Sequence, residues 1–368
     1  MYLTIYLNRK YQLNPTTLDR IFEQTYANTK TIAYLKATET QKTNALQKEA
    51  ILLEFWNNLP DEIKNLAINE MSMQPYYYTF RIPKKTKGFR EINAPLDSLK
   101  ELQTNITKLF QKTLQIAPHN AAYAYVQNRS SLDALKQHQK NDSNWFLKLD
   151  IKDFFPSCTK ELVYNELRQI YPCAEFTESG KQILKYIIHL CCLNGSLPQG
   201  SPASPYLSNI LFTKYDFKIT NYLKTIGKYV YTRYADDILI SARTSFDWQQ
   251  IVKDINIMFV SNFIIKDEKT RYGSKAGRNW NLGVMLNKDN KLTIGHVNNQ
   301  NLKAQLHHFI MAYRDGKPYS IPETQHLQGV LNYAKQIEPD YIDYIIKHYS
   351  RKFNCNILEA IKYCLKIR

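Results

Sequence analysis

The sequence predicts an α+β fold in which antiparallel hairpins lie between helical segments. Residues 1–75, and everything from His296 onward, place apolar side chains at helical spacing. Between them, three stretches alternate in short β-favouring runs broken by turn residues. The 368 residues are 44% hydrophobic and 13% aromatic, enough apolar surface for more than one core, which excludes a small disulfide scaffold and a wholly disordered chain.

The elements follow in order. Asn44-Ala45-Leu46-Gln47-Lys48-Glu49-Ala50-Ile51-Leu52-Leu53-Glu54-Phe55-Trp56 has the periodicity of an amphipathic helix and carries no recognisable chemistry. Tyr76 to Ile82 is aromatic and β-favouring, breaks at Pro83-Lys84-Lys85-Thr86-Lys87-Gly88-Phe89-Arg90, and resumes at Glu91-Ile92-Asn93, the pattern of a hairpin with a cationic tip. In Phe146 to Ile151, alternation sends Leu147, Leu149 and Ile151 to one face and Phe146, Lys148 and Asp150 to the other, so a carboxylate is expected opposite the buried surface. The Leu197-Pro198-Gln199-Gly200-Ser201-Pro202-Ala203-Ser204-Pro205 stretch reads as a rigid loop leading into the helical pattern Tyr206 to Phe212. Lys228 to Tyr234 and Ile238 to Ser241 are strands meeting at a bend that carries Asp236 and Asp237. A further hairpin is expected from Gly283 to Gly295, and helices in which positive charges exceed negative ones follow it.

Forty-nine Lys and Arg against 33 Asp and Glu leave a formal charge of +16, which points to a polyanionic partner. Nucleic acid fits better than membrane: no window approaches the roughly 18 consecutive apolar residues of a spanning helix, and the apolar start lacks the basic flank and cleavage site of a signal peptide. The expected location is the cytoplasm. Six cysteines without a C-x-x-C pair read as reduced, mostly buried thiols.

Asp150, Asp236 and Asp237 are the candidate catalytic residues. Unit charges about 4 Å apart at an effective dielectric of 20 repel by roughly 4 kcal/mol, so a cluster of such acids calls for a cation. Carboxylates without His or Cys suit Mg²⁺, with Mn²⁺ as a substitute, and two such ions can activate a 3′-hydroxyl and stabilise departing pyrophosphate. Taken singly, any of these acids could instead cap a turn or face solvent.

Three motifs in order decide between those readings. Lys148-Leu149-Asp150-Ile151-Lys152-Asp153-Phe154-Phe155-Pro156-Ser157, then Leu197 to Pro205, then Tyr234-Ala235-Asp236-Asp237 resemble the motifs of prokaryotic reverse transcriptases of the lineage that includes retrons and group II intron proteins. The resemblance spans about residues 76–340. It implies a right-hand polymerase: a helical extension over 1–75, fingers over 76–145, palm over 146–158, a fingers/palm insertion over 159–198, palm with the catalytic and primer-supporting hairpins over 199–295, and a helical thumb over 296–368. It implies an RNA-directed DNA polymerase that extends a primer with dNTPs on an RNA template and yields a DNA strand.

Carried over by position, Asp150 and Asp236 resemble the main metal ligands, with Asp237 and the main-chain carbonyl of Ile151 beside them. Phe155 resembles the ring that excludes a ribose 2′-hydroxyl, a place Phe154 could also take. Gln199 and Gly200 match the loop beside the incoming nucleotide, where a missing Cβ permits close backbone approach. Arg90, then Lys84 or Lys85, suit the triphosphate. Lys269 matches the lysine that protonates pyrophosphate, while Arg129, Gly283, Lys303 and His307 fall where relatives meet nucleic acid.

The chain lacks the Asn-Ala-x-x-His element of retrons, has Asn281-Leu282-Gly283 where they carry Val-Thr-Gly, and stops soon after the thumb. The expectation is therefore a free-standing, defence-associated enzyme working on a cognate noncoding RNA, with a neighbouring effector protein or a second copy as further partners. The competing classes are an RNA-dependent RNA polymerase, against which Phe155 argues, and a silent nucleic-acid-binding scaffold, against which the intact acids argue.

Overall fold

The computed structural model describes residues 38–84, 88–275 and 284–366. Lys85, Gly283 and the first 37 residues of the expected helical extension lie outside the described residues.

Helix α1 (Glu39–Asn57) starts at a capping box between Thr38 and Gln41 and buries Ala45, Glu49, Leu52 and Trp56, a stripe one to two turns apart. After α2 (Asp61–Ile68), strands β1 (Tyr77–Pro83) and β2 (Phe89–Pro95) pair antiparallel from Tyr77↔Pro95 to Pro83↔Phe89. Helix α3 (Asp97–Lys108) follows, and α4 (Ser131–Lys140) opens at a second capping box, Ser130 with Asp133. Strand β3 (Trp145–Asp150) leads into α5 (Phe154–Ser157), α6 (Lys160–Leu167) and α7 (Glu178–His189). Helix α8 (Ser204–Ile226) has Pro205 in its first turn, where a missing N–H costs nothing, and is buried on nearly every side. Strands β4 (Val230–Tyr234) and β5 (Asp237–Ala242) flank the acidic bend; α9 (Trp248–Phe259) and β6 (Arg271–Ser274) follow. Strands β7 (Met285–Leu286) and β8 (Leu292–Thr293) form the short late hairpin, and α10 (His296–Arg314), α11 (Ile321–Ile337), α12 (Pro339–Lys352) and α13 (Ile357–Cys364) complete the chain.

The main sheet runs β4-β5-β3-β6. Its central position corrects the half-buried reading of β3: Phe146, Leu147, Leu149 and Asp150 are all buried, so both faces are covered and the catalytic candidate itself is 6% exposed. Alternation in the sequence reported the pleat, whereas burial depended on what the rest of the chain laid over each face.

Two compact units emerge. One gathers residues up to Arg129, Leu149–Ile238 and Asp247–Thr270; the other gathers Ser130–Lys148, Leu239–Phe246 and residues from Arg271 on. The first is organised around α8, whose Phe212 and Tyr215 meet Phe259 and Phe263 in an aromatic cluster. The second packs Phe146, Leu239 and Leu286 with Leu306, Phe309 and Leu331 of its C-terminal helices. Among the described residues no helix is long and apolar enough to cross a membrane. All six cysteines are free thiols, five of them buried.

Candidate active site

Asp150 ends β3, and its surroundings are stitched by main-chain bonds. The Ile151 N–H donates to the Asp236 carbonyl at 3.0 Å, the Lys152 N–H to Ile264 at 2.7 Å, and the Lys266 N–H to the Asp150 carbonyl at 2.9 Å. The acidic bend and the Ile264–Lys269 segment are thus both fastened to the strand end that carries Asp150. The bend is a tight one: Ala235 adopts φ 57°, a left-handed conformation that costs a residue with a Cβ roughly 1 kcal/mol.

Charge explains what the side chains do. Lys269 Nζ donates to Asp150 Oδ2 at 2.8 Å, and Lys266 Nζ lies 3.0 Å from Oδ1. The second contact is ionic but off the hydrogen-bonding direction, which leaves Oδ1 buried without a hydrogen bond. Burial raises the Asp236 pKa, and repulsion from Asp237 and Asp150 raises it further. The hydrogen bond to Asp150 holds the Lys269 ammonium above its ordinary range.

Among the described residues no three acidic, His or Cys side chains converge closely enough to enclose an ion; the Asp150 carboxylate lies against two ammonium groups instead. The donor set nevertheless fits a hard divalent cation. One buried carboxylate oxygen makes no hydrogen bond, the neighbouring acids disfavour each other's charge, and the donors at hand are hard carboxylate oxygens. The Lys266 contact was missed in the sequence, where the lysine stands more than a hundred residues from Asp150 and no local pattern links the two.

On the nucleotide side, the two candidate rings separate. Phe154 is 4% exposed and packs on Phe212 and Phe263, whereas Phe155 is half-buried, so Phe155 is the ring left available. The Gln-Gly loop docks on the hairpin: the Asn93 N–H donates to the Gln199 carbonyl at 2.7 Å, and Gly200 sits at φ +120° with its missing Cβ aimed at Asn93 O, 2.7 Å away. The close approach that requires glycine is thus made by β2 of the protein itself. On the loop's other side, Ser201 Oγ donates to Gln103 Oε1 at 2.7 Å, and the Gln103 amide donates to Tyr77 Oη and the Leu190 carbonyl at 2.7 and 2.9 Å. Gln103 is fully buried with no motif to announce it.

Arg90 and Lys84 are exposed on the hairpin. Tyr125, held at φ 59° and 50% exposed, has its pKa raised first by partial burial and then by Asp236, with Arg90 lowering it. This tyrosine too was missed in the sequence. Arg129 spends its guanidinium on the Asn120 and Ala122 carbonyls, both at 2.9 Å, and lies over the Tyr123 ring. In the second unit, Lys303 lies over the Tyr341 ring and the exposed His307 packs edge-on against Phe353.

Known proteins resemble this chain over most of its length. The family described as "Reverse transcriptase (RNA-dependent DNA polymerase)" matches residues 82–286. Retron Ec83 reverse transcriptase of Escherichia coli is 31% identical over 286 residues, covering 74% of this chain and 87% of its own length. Retron Ec86 reverse transcriptase, also of Escherichia coli, is 26% identical over 87% of this chain and 98% of its own. Among solved structures, telomerase from Candida tropicalis with a fragment of telomeric RNA aligns at 13% identity and a TM-score of 0.45, over 83% of this chain and 64% of that one.

Proposed function

The chain belongs to the reverse transcriptase family and is an RNA-directed DNA polymerase, and from that premise we propose that it copies a cognate noncoding RNA, by Mg²⁺-dependent nucleotidyl transfer at Asp150, Asp236 and Asp237, in antiphage defence. The observation that carries the site assignment is the Asp150 carboxylate, buried at a strand end bonded to the Asp236 main chain and met by two lysines.

Asp150, Asp236 and the Ile151 carbonyl would hold the ions, with Asp237 beside them. Bound Mg²⁺ supplies Lewis acidity to the primer 3′-oxygen and offsets charge on the departing pyrophosphate. The chain's own residues do the rest. Phe155 excludes a 2′-hydroxyl, the Gln199-Gly200 loop seats the nucleotide and templating base, and Arg90 with Lys84 grips the triphosphate. The 3′-hydroxyl gives up its proton to solvent as its oxygen displaces pyrophosphate from the α-phosphorus, one P–O bond forming as another breaks, and Lys269 delivers a proton to the leaving oxygen. In the second unit, Lys303 and His307 touch phosphate along the duplex, contacts that carry no sequence information.

The retron relatives support reverse transcription, the activity on which the template and defence parts of this reading are built, and six free thiols suit a reducing cytoplasm. Purified protein given a primed RNA template should incorporate dNTPs only with a divalent cation, and Asp236→Asn should abolish incorporation. A wild-type rate in that variant would overturn the assignment, and sequencing the nucleic acid that copurifies would test the cognate RNA.

A further inference from the structure

Behind the acidic bend lies a charged pair with no access to substrate. Arg233 and Asp216 are both 0% exposed, and Arg233 Nη2 lies 2.8 Å from Asp216 Oδ2, with Nε at 2.9 Å from Oδ1. Asp216 and Asn209 are two turns apart on α8, hence on one face, and Arg233 Nη1 also donates to Asn209 Oδ1 at 3.0 Å. Nη1 makes a further bond, to the main-chain carbonyl of Ala235 at 3.1 Å. Ala235 is the left-handed residue that turns the chain into Asp236 and Asp237.

Other bonds set the hub in place. The Phe212 ring lies 4.5 Å from the guanidinium, and Tyr231 Oη donates to Asp216 Oδ1. Asn209 Nδ2 donates to Ala124 O at 2.7 Å, while the main chain of Arg233 exchanges bonds with Ala121 and Tyr123 at 2.7 and 2.8 Å. The Arg233 carbonyl and N–H therefore fix the segment leading to Tyr125, and its side chain fixes the bend.

A buried ion pair is a poor source of stability, because desolvation of both charges offsets their attraction and apolar isosteres often serve the fold as well. What isosteres cannot reproduce is a donor aimed at the Ala235 carbonyl. We infer that Arg233 is a positioning residue, which, anchored by Asp216 and Asn209, holds Ala235 left-handed and so keeps Asp236 and Asp237 turned toward Asp150 for metal binding. This deepens the proposed reading and rests on it. Lysine in its place retains charge, but its single ammonium cannot span Asp216, Asn209 and Ala235 together.

The test compares the full chain with Arg233→Lys and with the apolar pair Arg233→Met/Asp216→Leu. Four quantities are read: thermal unfolding midpoint, hydrogen exchange at the backbone amides of residues 235–238, Mn²⁺ affinity by electron paramagnetic resonance, and single-nucleotide incorporation. The apolar pair should melt within a few degrees of wild type. Its bend amides should exchange at least tenfold faster, its Mn²⁺ affinity should fall at least fivefold, and kcat should fall at least tenfold with the dNTP KM within threefold. A folded double variant with exchange, Mn²⁺ affinity and kcat within twofold of wild type would overturn the inference. If the double variant fails to fold, Arg233→Lys decides by the same four readouts; if neither folds, Arg233 serves folding alone and the inference falls. If wild-type protein binds Mn²⁺ yet incorporates no dNTP, the polymerase reading fails, while exchange and Mn²⁺ affinity still judge the bend.

Discussion

Replacing Gly200 by alanine probes how the nucleotide-side loop is held. At φ +120° an L-residue pays about 1–3 kcal/mol in backbone strain. The new Cβ would also stand 2.7 Å from Asn93 O and 2.9 Å from Ile92 Cγ2, so the strand and the loop must part by several tenths of an ångström. Parting them weakens the 2.7 Å bond between the Asn93 N–H and the Gln199 carbonyl, worth about 0.5–1.5 kcal/mol. Together these amount to roughly 2–4 kcal/mol, or more than tenfold in the ratio of docked to undocked loop. The loop can relieve most of this by local undocking, so global stability should fall by less than catalysis does. Single-nucleotide incorporation on a primed RNA template should show kcat/KM for dNTP lowered about tenfold or more, with the unfolding midpoint shifted by only a few degrees. A Gly200→Ala enzyme with kcat/KM within twofold of wild type would refute the claim that β2 and the loop must stay joined.

Other perturbations reach different parts of the site. Phe155→Ala should raise ATP incorporation relative to dATP by on the order of tenfold or more, since half-buried Phe155 rather than buried Phe154 has its ring partly open; an unchanged ratio in competition assays would place the gate elsewhere. Gln103→Leu strands the Ser201 and Tyr77 hydroxyls and the Leu190 carbonyl, and should cost about 3 kcal/mol in denaturant titration while raising the dNTP KM. Burial pushes the Glu166 carboxyl up to about 7 despite Lys214 at 3.6 Å. Between about pH 4.5 and 7 the folded chain therefore holds a proton that the unfolded chain has lost, so this group's contribution to stability falls as pH rises through that window, by roughly 3 kcal/mol at most. Glu166→Gln should flatten that part of the pH profile of the denaturation midpoint, and an unchanged profile would show that Glu166 ionises freely.

The acids, the hairpins and the Gln-Gly loop were legible in the sequence because each rests on local patterning: alternation in β3, turn residues at Ala235, Pro and Gly around Gln199. What local patterning could not show was who compensates whom. Asp150 finds Lys269 across 119 residues, and Gln103 finds Ser201 across 98. A buried glutamine in an amphipathic helix looks like a surface one until the chain is folded. The same holds for Arg233, a strand residue beside the acids in the sequence that folding buries fully against Asp216. The choice between Phe154 and Phe155 likewise depended on Asp153, whose φ of 45° starts the short helix that buries one ring and leaves the other half open.

The lysine contacts of Asp150 bear on the enzyme at rest. With Lys266 and Lys269 against it, the charge of the buried Asp150 carboxylate is offset by the protein's own cations, so the fold does not carry it as an isolated buried charge. A divalent cation bound as proposed would have to compete with this built-in counterion pair for the Asp150 oxygens.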